Sequence, residues 1–147
     1  LGGCATSRVP ESAKVVVVGG GYGGATAAKY VRLLSDHKID VVLIEPNDSF
    51  ISCPLSNLVL EGARDLSSLA TSYDGLRRQH GITVVKDYVS AVDPAKKTVT
   101  LARGGSIRYD KLVLSPGVEL QLDTVPGLSE AHAEGRVLQA WKAGPET

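Results

Sequence analysis

The sequence is poor in sulfur and carries no excess of charge. It has no methionine and two cysteines, Cys4 and Cys53, and its 16 basic residues are balanced by 16 acidic ones. Balanced charge without a basic stripe gives no electrostatic footprint for nucleic acid or an anionic membrane. No apolar run reaches the roughly 20 residues that a membrane-spanning helix needs. We therefore expect no nucleic-acid partner and no membrane span.

The lack of methionine also bears on the start of the chain. Because Leu1 is not a translation start, we expect the 147 residues to be part of a longer protein. The small residues near the N-terminus are typical of the end of an export signal. Residues 1–13 are interpreted as an exported leader remnant or linker, which predicts a periplasmic location. Lipidation of Cys4 is an alternative that we favour less than an incidental cysteine in a leader tail.

Glycine, in contrast, is abundant, and a cluster of glycines opens the fold within the stretch 14–25. Four consecutive valines predict a strand that is buried on both faces. Gly19, Gly21 and Gly24 then fit G-x-G-x-x-G, and a helix is expected from about Gly23 to Leu34. The first glycine permits a tight turn, the second lets backbone N–H groups approach a pyrophosphate, and the third allows close packing of helix on strand.

An acidic residue stands where a nucleotide-binding fold needs one. The second apolar strand, 41–45, ends in an acid, Glu45, which lies 21 residues beyond Gly24. A carboxylate at this place accepts hydrogen bonds from ribose hydroxyls and repels a 2′-phosphate. Strand, turn, helix, strand and acid together predict a dinucleotide site. The alternative is a glycine-rich structural turn followed by a chance acid.

The remaining pattern predicts how the domain is completed. Helices are expected at about 55–62 and 66–80, and a buried strand at 82–85. Short strands at 88–92, 98–102 and 106–109, separated by turn residues, predict an antiparallel three-stranded meander before a last core strand at 111–114. The fold class is therefore α/β: a Rossmann-like domain over 14–120 with at least four parallel strands and an inserted meander. Residues 121–147, including 141–144, are interpreted as a connection towards a second dinucleotide-binding-like domain.

Cys53 lies in the loop 46–54, which leaves the C-terminal end of the second strand. Ligands bind at this edge of a doubly wound sheet. A dithiol pair within the loop is excluded because the loop holds one cysteine. A buried structural thiol and a functional thiol both remain open. Other chemistry has little support, since the histidines lack metal-ligand spacing and the serines lack a nucleophile-elbow context: His37, His80, His132, Ser52, Ser56 and Ser115.

The order of elements and the segment 109–117 resemble the two-dinucleotide-domain flavoproteins of the FAD/NAD(P)-dependent disulfide oxidoreductase superfamily. The resemblance implies that the N-terminal unit binds FAD and that the segment 109–117 passes near it. Here Ser115-Pro116-Gly117 stands where Ala-Thr-Gly is usual. The chain is then interpreted as the N-terminal fragment of such a flavoprotein.

A narrower resemblance covers nearly the whole chain from Ala13 onward. The glycine stretch, Ile44-Glu45-Pro46-Asn47, Cys53-x-Leu-Ser-Asn and the segments 73–77, 116–120 and 141–144 are similar to the flavoprotein subunit of flavocytochrome c sulfide dehydrogenase. This resemblance implies a thioether between Cys53 and the 8α-methyl of FAD. Fingerprint and resemblance together give the candidate cofactor-binding residues, with Val89 by analogy alone: Gly19, Gly20, Gly21, Tyr22, Gly23, Gly24, Glu45, Pro46, Asn47, Cys53, Val89, Pro116 and Gly117.

The resemblance also implies a reaction, in which sulfide attacks a redox-active disulfide and electrons pass through FAD to a c-type cytochrome subunit. The family's redox cysteines lie beyond Thr147, so no catalytic residue is assigned and this fragment alone is expected to be inactive. One alternative is a CoA-disulfide reductase or NADH-oxidase-like flavoprotein with Cys53 as a redox thiol, although Pro54 replaces the glycine usual there. Sulfide:quinone oxidoreductase and a noncatalytic nucleotide-binding redox sensor are the others.

Overall fold

A computed structural model gives the structure of the protein and describes residues 13–137. The chain divides into two compact units, whose described parts are 13–48 with 73–116 and 49–72 with 117–137. The predicted extents 1–13, 14–120 and 121–147 stay predictions. Cys4 and the segment 141–144 lie outside the described residues.

Short elements alternate along the described chain. The strands are β1 (Lys14–Val18), β2 (Asp40–Ile44), β3 (Ser49–Ile51), β4 (Ala70–Ser72), β5 (Thr83–Val85), β6 (Val89–Asp93), β7 (Thr98–Leu101), β8 (Ser106–Arg108) and β9 (Lys111–Leu114). The α-helices are α1 (Tyr22–Leu34), α2 (Ser56–Leu60), α3 (Asp74–His80) and α4 (Leu128–Ala133). Short 3₁₀ helices are formed by Cys53–Leu55, Leu66–Leu69 and Leu122–Thr124.

The first unit is built on a parallel sheet of four strands in the order β5-β2-β1-β9. The central strand β1 is covered on both faces, and Val16 and Val17 have no exposed surface. Successive side chains of a strand point to opposite faces, so the valine run buries apolar groups on each side. The prediction of at least four parallel strands is confirmed.

The meander packs on one face of this sheet. Strands β6, β7 and β8 form an antiparallel sheet in sequence order, inserted between β5 and β9 as predicted. Val99 of β7 is fully buried and joins Val16, Val42 and Ile44 in one core cluster. On the other face, α1 packs closely, because a Cβ at Gly24 would lie 3.3 Å from Val17 Cγ1. The two layers fix the carboxyl ends of β1, β2 and β9.

The segment 66–80, which the division into units cuts after Ser72, does not have the predicted structure. Residues 66–80 do not form one helix. Instead a 3₁₀ turn at Leu66–Leu69 leads into β4, and the helix is confined to Asp74–His80. The reason is a long-range pairing: β4 forms an antiparallel ladder with β3, which lies inside the predicted loop 46–54. The predicted helix at 55–62 is found as a 3₁₀ turn followed by α2.

Candidate dinucleotide site

The glycine turn joins β1 to α1, and its shape depends on glycine at two positions. Gly19 has a φ of +93°, in the left-handed region, and a Cβ there would overlap the carbonyl oxygen of Ser115. A Cβ on Gly24 would overlap the carbonyl oxygen of Gly19. The turn therefore presents backbone without Cβ atoms, and we call this concave turn the cradle. Such a surface lets N–H groups approach phosphate oxygens.

Helix α1 presents an uncapped N-terminus to this cradle. Gly21 is the N-cap residue, no side chain caps the helix, and the first turn has no acidic residue. The first N–H groups of an α-helix have no intrahelical acceptor, and the helix dipole adds positive potential at this end. A 13-residue helix that begins in this way suits a pyrophosphate.

Glu45 is buried directly after β2, and it holds the turn. Only 7% of its surface is exposed. Its Oε2 accepts a hydrogen bond from the Gly20 N–H at 2.7 Å, and its Oε1 accepts from Asn47 N–H at 3.0 Å and from Asn47 Nδ2 at 2.8 Å. A carboxylate offers about four lone-pair sites, so these bonds leave it capacity for a further donor such as a ribose hydroxyl.

Tyr73 also reaches the turn, and this contact was missed by the sequence analysis. The residue is 4% exposed, and its hydroxyl donates to the Gly20 carbonyl oxygen at 3.0 Å. Burial and, to a lesser degree, the negative charge of Glu45 raise the pKa of Tyr73 well above its ordinary value, so the hydroxyl stays protonated and donates at neutral pH. The sequence carried a signal for this burial, because Tyr73 follows Leu69 at helical spacing, which indicates an inward position.

The end of β9 completes the cradle. The Ser115 N–H donates to the Val18 carbonyl at 2.8 Å, and Ser115 Oγ lies 2.9 Å from where a Cβ on Gly23 would stand. Pro116 Cα is 3.3 Å from the position that a Cβ on Gly19 would take. Gly117 has a φ of +82°, and no described atom beyond its two chain neighbours lies within 4 Å of its Cβ position. Glycine at 117 is therefore explained by backbone conformation and not by close approach to another part of the described chain.

Cys53 belongs to the second unit, and its side chain is exposed and forms no disulfide within the described residues. It is the first residue of a 3₁₀ turn, and its carbonyl accepts a hydrogen bond from Ser56 Oγ at 2.8 Å. The interpretation as a buried structural thiol is therefore wrong. A functional role for the thiol stays a prediction.

The other predicted contacts are placed as follows. Pro46 is half-buried and Asn47 exposed, and Tyr22 is the first residue of α1. Val89 begins β6 and packs partly buried against the core cluster. Its contact with adenine stays a prediction. The first unit thus brings the glycine turn, Glu45 and the Ser115-Pro116 segment together.

Neither a metal-binding cluster nor a membrane-spanning helix is found between residues 13 and 137. No group of three or more His, Cys, Asp or Glu side chains in this range could hold a metal ion. No helix in the same range is both long and apolar enough to cross a membrane.

Two known proteins that are similar to this chain have names that refer to sulfide oxidation or reduction. Mitochondrial sulfide:quinone oxidoreductase of Dictyostelium discoideum is 37% identical over 124 residues, which are 84% of this chain and 27% of that protein. The flavoprotein chain of sulfide dehydrogenase [flavocytochrome c] from Chlorobaculum thiosulfatiphilum is 59% identical over 46 residues, 31% of this chain and 94% of that sequence.

Among solved structures, the NAD-dependent persulfide reductase of A. fulgidus matches with a TM-score of 0.72 and 25% identity. The match covers 88% of this chain and 25% of the persulfide reductase. The chain thus spans about a quarter of the length of this structure and of the Dictyostelium relative. The family model for pyridine nucleotide-disulphide oxidoreductases matches residues 13–143. With this match over most of its length, the chain belongs to the pyridine nucleotide-disulphide oxidoreductase family.

Proposed function

We propose that this chain is the FAD-binding portion of a periplasmic sulfide dehydrogenase. The whole enzyme oxidises sulfide and passes electrons through FAD, covalently bound at Cys53, to a c-type cytochrome subunit. The observation that carries this proposal is the exposed thiol of Cys53 in the sequence Cys-Pro-Leu-Ser-Asn. The 59% identity to a flavocytochrome c flavoprotein chain supports it.

The residues of the first unit fit FAD. Gly19 and Gly24 leave bare backbone at a helix N-terminus, where a pyrophosphate binds without steric conflict. Glu45 directly follows the second strand, which is the place of the residue that accepts ribose hydroxyls in this type of fold. When bound, FAD supplies the two-electron redox chemistry. The chain's own part is to bind and orient it.

Cys53 would provide the covalent link. Its exposed sulfur is accessible to an electrophile, and it forms no disulfide within residues 13–137. Cys53 Sγ would hold FAD through a thioether to its 8α-methyl carbon, and the bound flavin would supply the two-electron oxidation that forming this bond requires. Covalent attachment suits an exported flavoprotein, which cannot recover lost cofactor from the cytoplasm.

The exposed thiol also suits a second candidate. In a CoA-disulfide reductase or NADH-oxidase-like enzyme, a single cysteine at this place acts as a redox thiol and not as an anchor. The two functions differ in where the flavin goes when the protein is denatured, because a thioether survives acid and noncovalent binding does not.

The test is acid precipitation of the purified full-length protein. We expect the yellow colour to stay with the pellet and the peptide containing Cys53 to carry the mass of the flavin group. The Cys53→Ser variant should release its flavin, while Cys4→Ser, a matched control at the other cysteine of this chain, should retain it. Flavin in the wild-type supernatant would contradict the anchor and favour the redox thiol. Cell fractionation tests the periplasmic location.

A further inference from the structure

Gly20 is a glycine that the dinucleotide fingerprint does not require. It occupies the first variable position of G-x-G-x-x-G, where the motif accepts other residues. Its φ is not in the positive range that favours glycine, unlike that of Gly19. Neither the motif nor the backbone conformation therefore explains why this position lacks a side chain.

Tyr73 explains it. A Cβ on Gly20 would lie 2.5 Å from the Tyr73 hydroxyl oxygen and 2.7 Å from the ring atoms Cε1 and Cζ. The aromatic ring is rigid and 4% exposed, so it cannot swing away as an exposed flexible side chain could. The Tyr73 ring therefore fills the space that a side chain at position 20 would need.

The contact also fixes the direction of a peptide group. Tyr73 holds the Gly20 carbonyl, and Glu45 holds the Gly20 N–H. A trans peptide is planar, so the N–H of Gly21 points opposite to the Gly20 carbonyl. Because the Gly20 carbonyl is drawn towards the buried Tyr73 hydroxyl, the N–H of Gly21, the N-cap residue of α1, points away from that hydroxyl.

We propose that Tyr73 is a positioning residue of the dinucleotide turn: its hydroxyl orients the Gly20–Gly21 peptide for the cofactor pyrophosphate, and its ring imposes glycine at position 20. This role rests on the proposed binding of FAD. Tyr73 acts through the backbone and is not assigned a part in the redox reaction.

The first test measures reversible FAD binding to the full-length protein in a Cys53→Ser background, by quenching of flavin fluorescence. Tyr73→Phe removes the hydroxyl and keeps the ring, so we expect the dissociation constant to rise about tenfold, as for the loss of one buried hydrogen bond. Tyr30→Phe is the matched control, since Tyr30 is half exposed on α1, and its dissociation constant should change less than twofold. Circular dichroism reports whether each variant is folded.

The second test is a double-mutant cycle, which separates positioning from simple structural damage. Gly20→Ala should weaken FAD binding about a hundredfold or more, because the new methyl group collides with the Tyr73 ring. Adding Tyr73→Ala removes the ring, and binding should recover at least about tenfold relative to Gly20→Ala alone. Two independent structural lesions would give a double variant worse than either single one.

The results that overturn the proposal differ from those that overturn FAD binding. An unchanged dissociation constant in a folded Tyr73→Phe variant, or a double variant no better than Gly20→Ala, rejects the positioning role. Failure of the folded parent protein to bind any FAD rejects the proposed function instead. In that case the coupling between Tyr73 and Gly20 is measured by urea unfolding of four proteins: the parent, Gly20→Ala, Tyr73→Ala and the double variant. Lack of coupling in the free energy of unfolding would reject the steric part of the proposal.

Discussion

The glycine turn and the Cys53 segment differ in how firmly each is held. The turn is fixed by the buried side chains of Glu45 and Tyr73 and by the backbone of Ser115. Cys53 is exposed in a 3₁₀ turn, with Ser56 bonded to its carbonyl. The turn must reproduce one geometry for every cofactor molecule, whereas a thiol that forms a covalent bond needs access. Rigidity and exposure thus separate the proposed binding role from the proposed anchoring role.

The largest effect should come from filling the cradle. Gly24→Ala places a methyl group on the Gly19 carbonyl oxygen. The backbones of residues 19 and 24 then cannot both keep their positions. We expect the free energy of unfolding to fall by about 3 kcal/mol, together with loss of FAD. The measurement is urea unfolding of the full-length protein.

Gly75→Ala is the matched control, because Gly75 lies within α3 and, apart from its chain neighbours and the helix's own backbone, no described atom is within 4 Å of its Cβ position. It should raise the free energy of unfolding by about 0.5–1 kcal/mol. Equal destabilisation by the two substitutions would show that the turn is not held as firmly as the comparison states.

An intermediate effect is expected from Glu45→Gln. The amide keeps the shape but turns an NH₂ group towards the N–H donors of Gly20 or Asn47. We expect a loss of about 1–3 kcal/mol in the free energy of unfolding and weaker FAD binding, measured by urea titration and flavin fluorescence. An exposed acid, Glu61→Gln, should leave both unchanged. Unaltered stability in Glu45→Gln would mean that the carboxylate does not hold the turn.

The smallest effect should be that of Cys53→Ser on stability. The side chain is exposed, so the free energy of unfolding of the flavin-free protein should change by less than about 0.5 kcal/mol. The same urea titration checks this value. A change as large as that of Glu45→Gln would place Cys53 within the packed framework and remove the contrast between the two regions.

Much of the first unit could be predicted because its signals are local. The valine run of β1 and the glycines at 104 and 105 mark strands and turns within a few residues of themselves. The fingerprint and the acid at Glu45 predicted that the glycine turn and a carboxylate meet at the carboxyl edge of the sheet, and the Gly20 N–H does donate to Glu45.

The misses share a different cause, which is contact between distant residues. Helical spacing is kept by four apolar or aromatic residues of the segment 66–80: Leu66, Leu69, Tyr73 and Leu76. Strand β4 nevertheless interrupts this segment, because it pairs with β3 some twenty residues earlier in the chain. In the same way, no pattern near Gly20 reveals that Tyr73 packs on it. A spacing rule reports which face is apolar, and it does not report what covers that face.

The contact between Gly19 and Ser115 bears on the order of folding. The fingerprint is contiguous, but a partner that shapes it lies 96 residues further along, and β9 must pair with β1 to bring that partner into place. Contacts of such long sequence separation form slowly, since the intervening chain must close first. During synthesis the turn would therefore become competent for its cofactor only after the ribosome has released the segment 111–116.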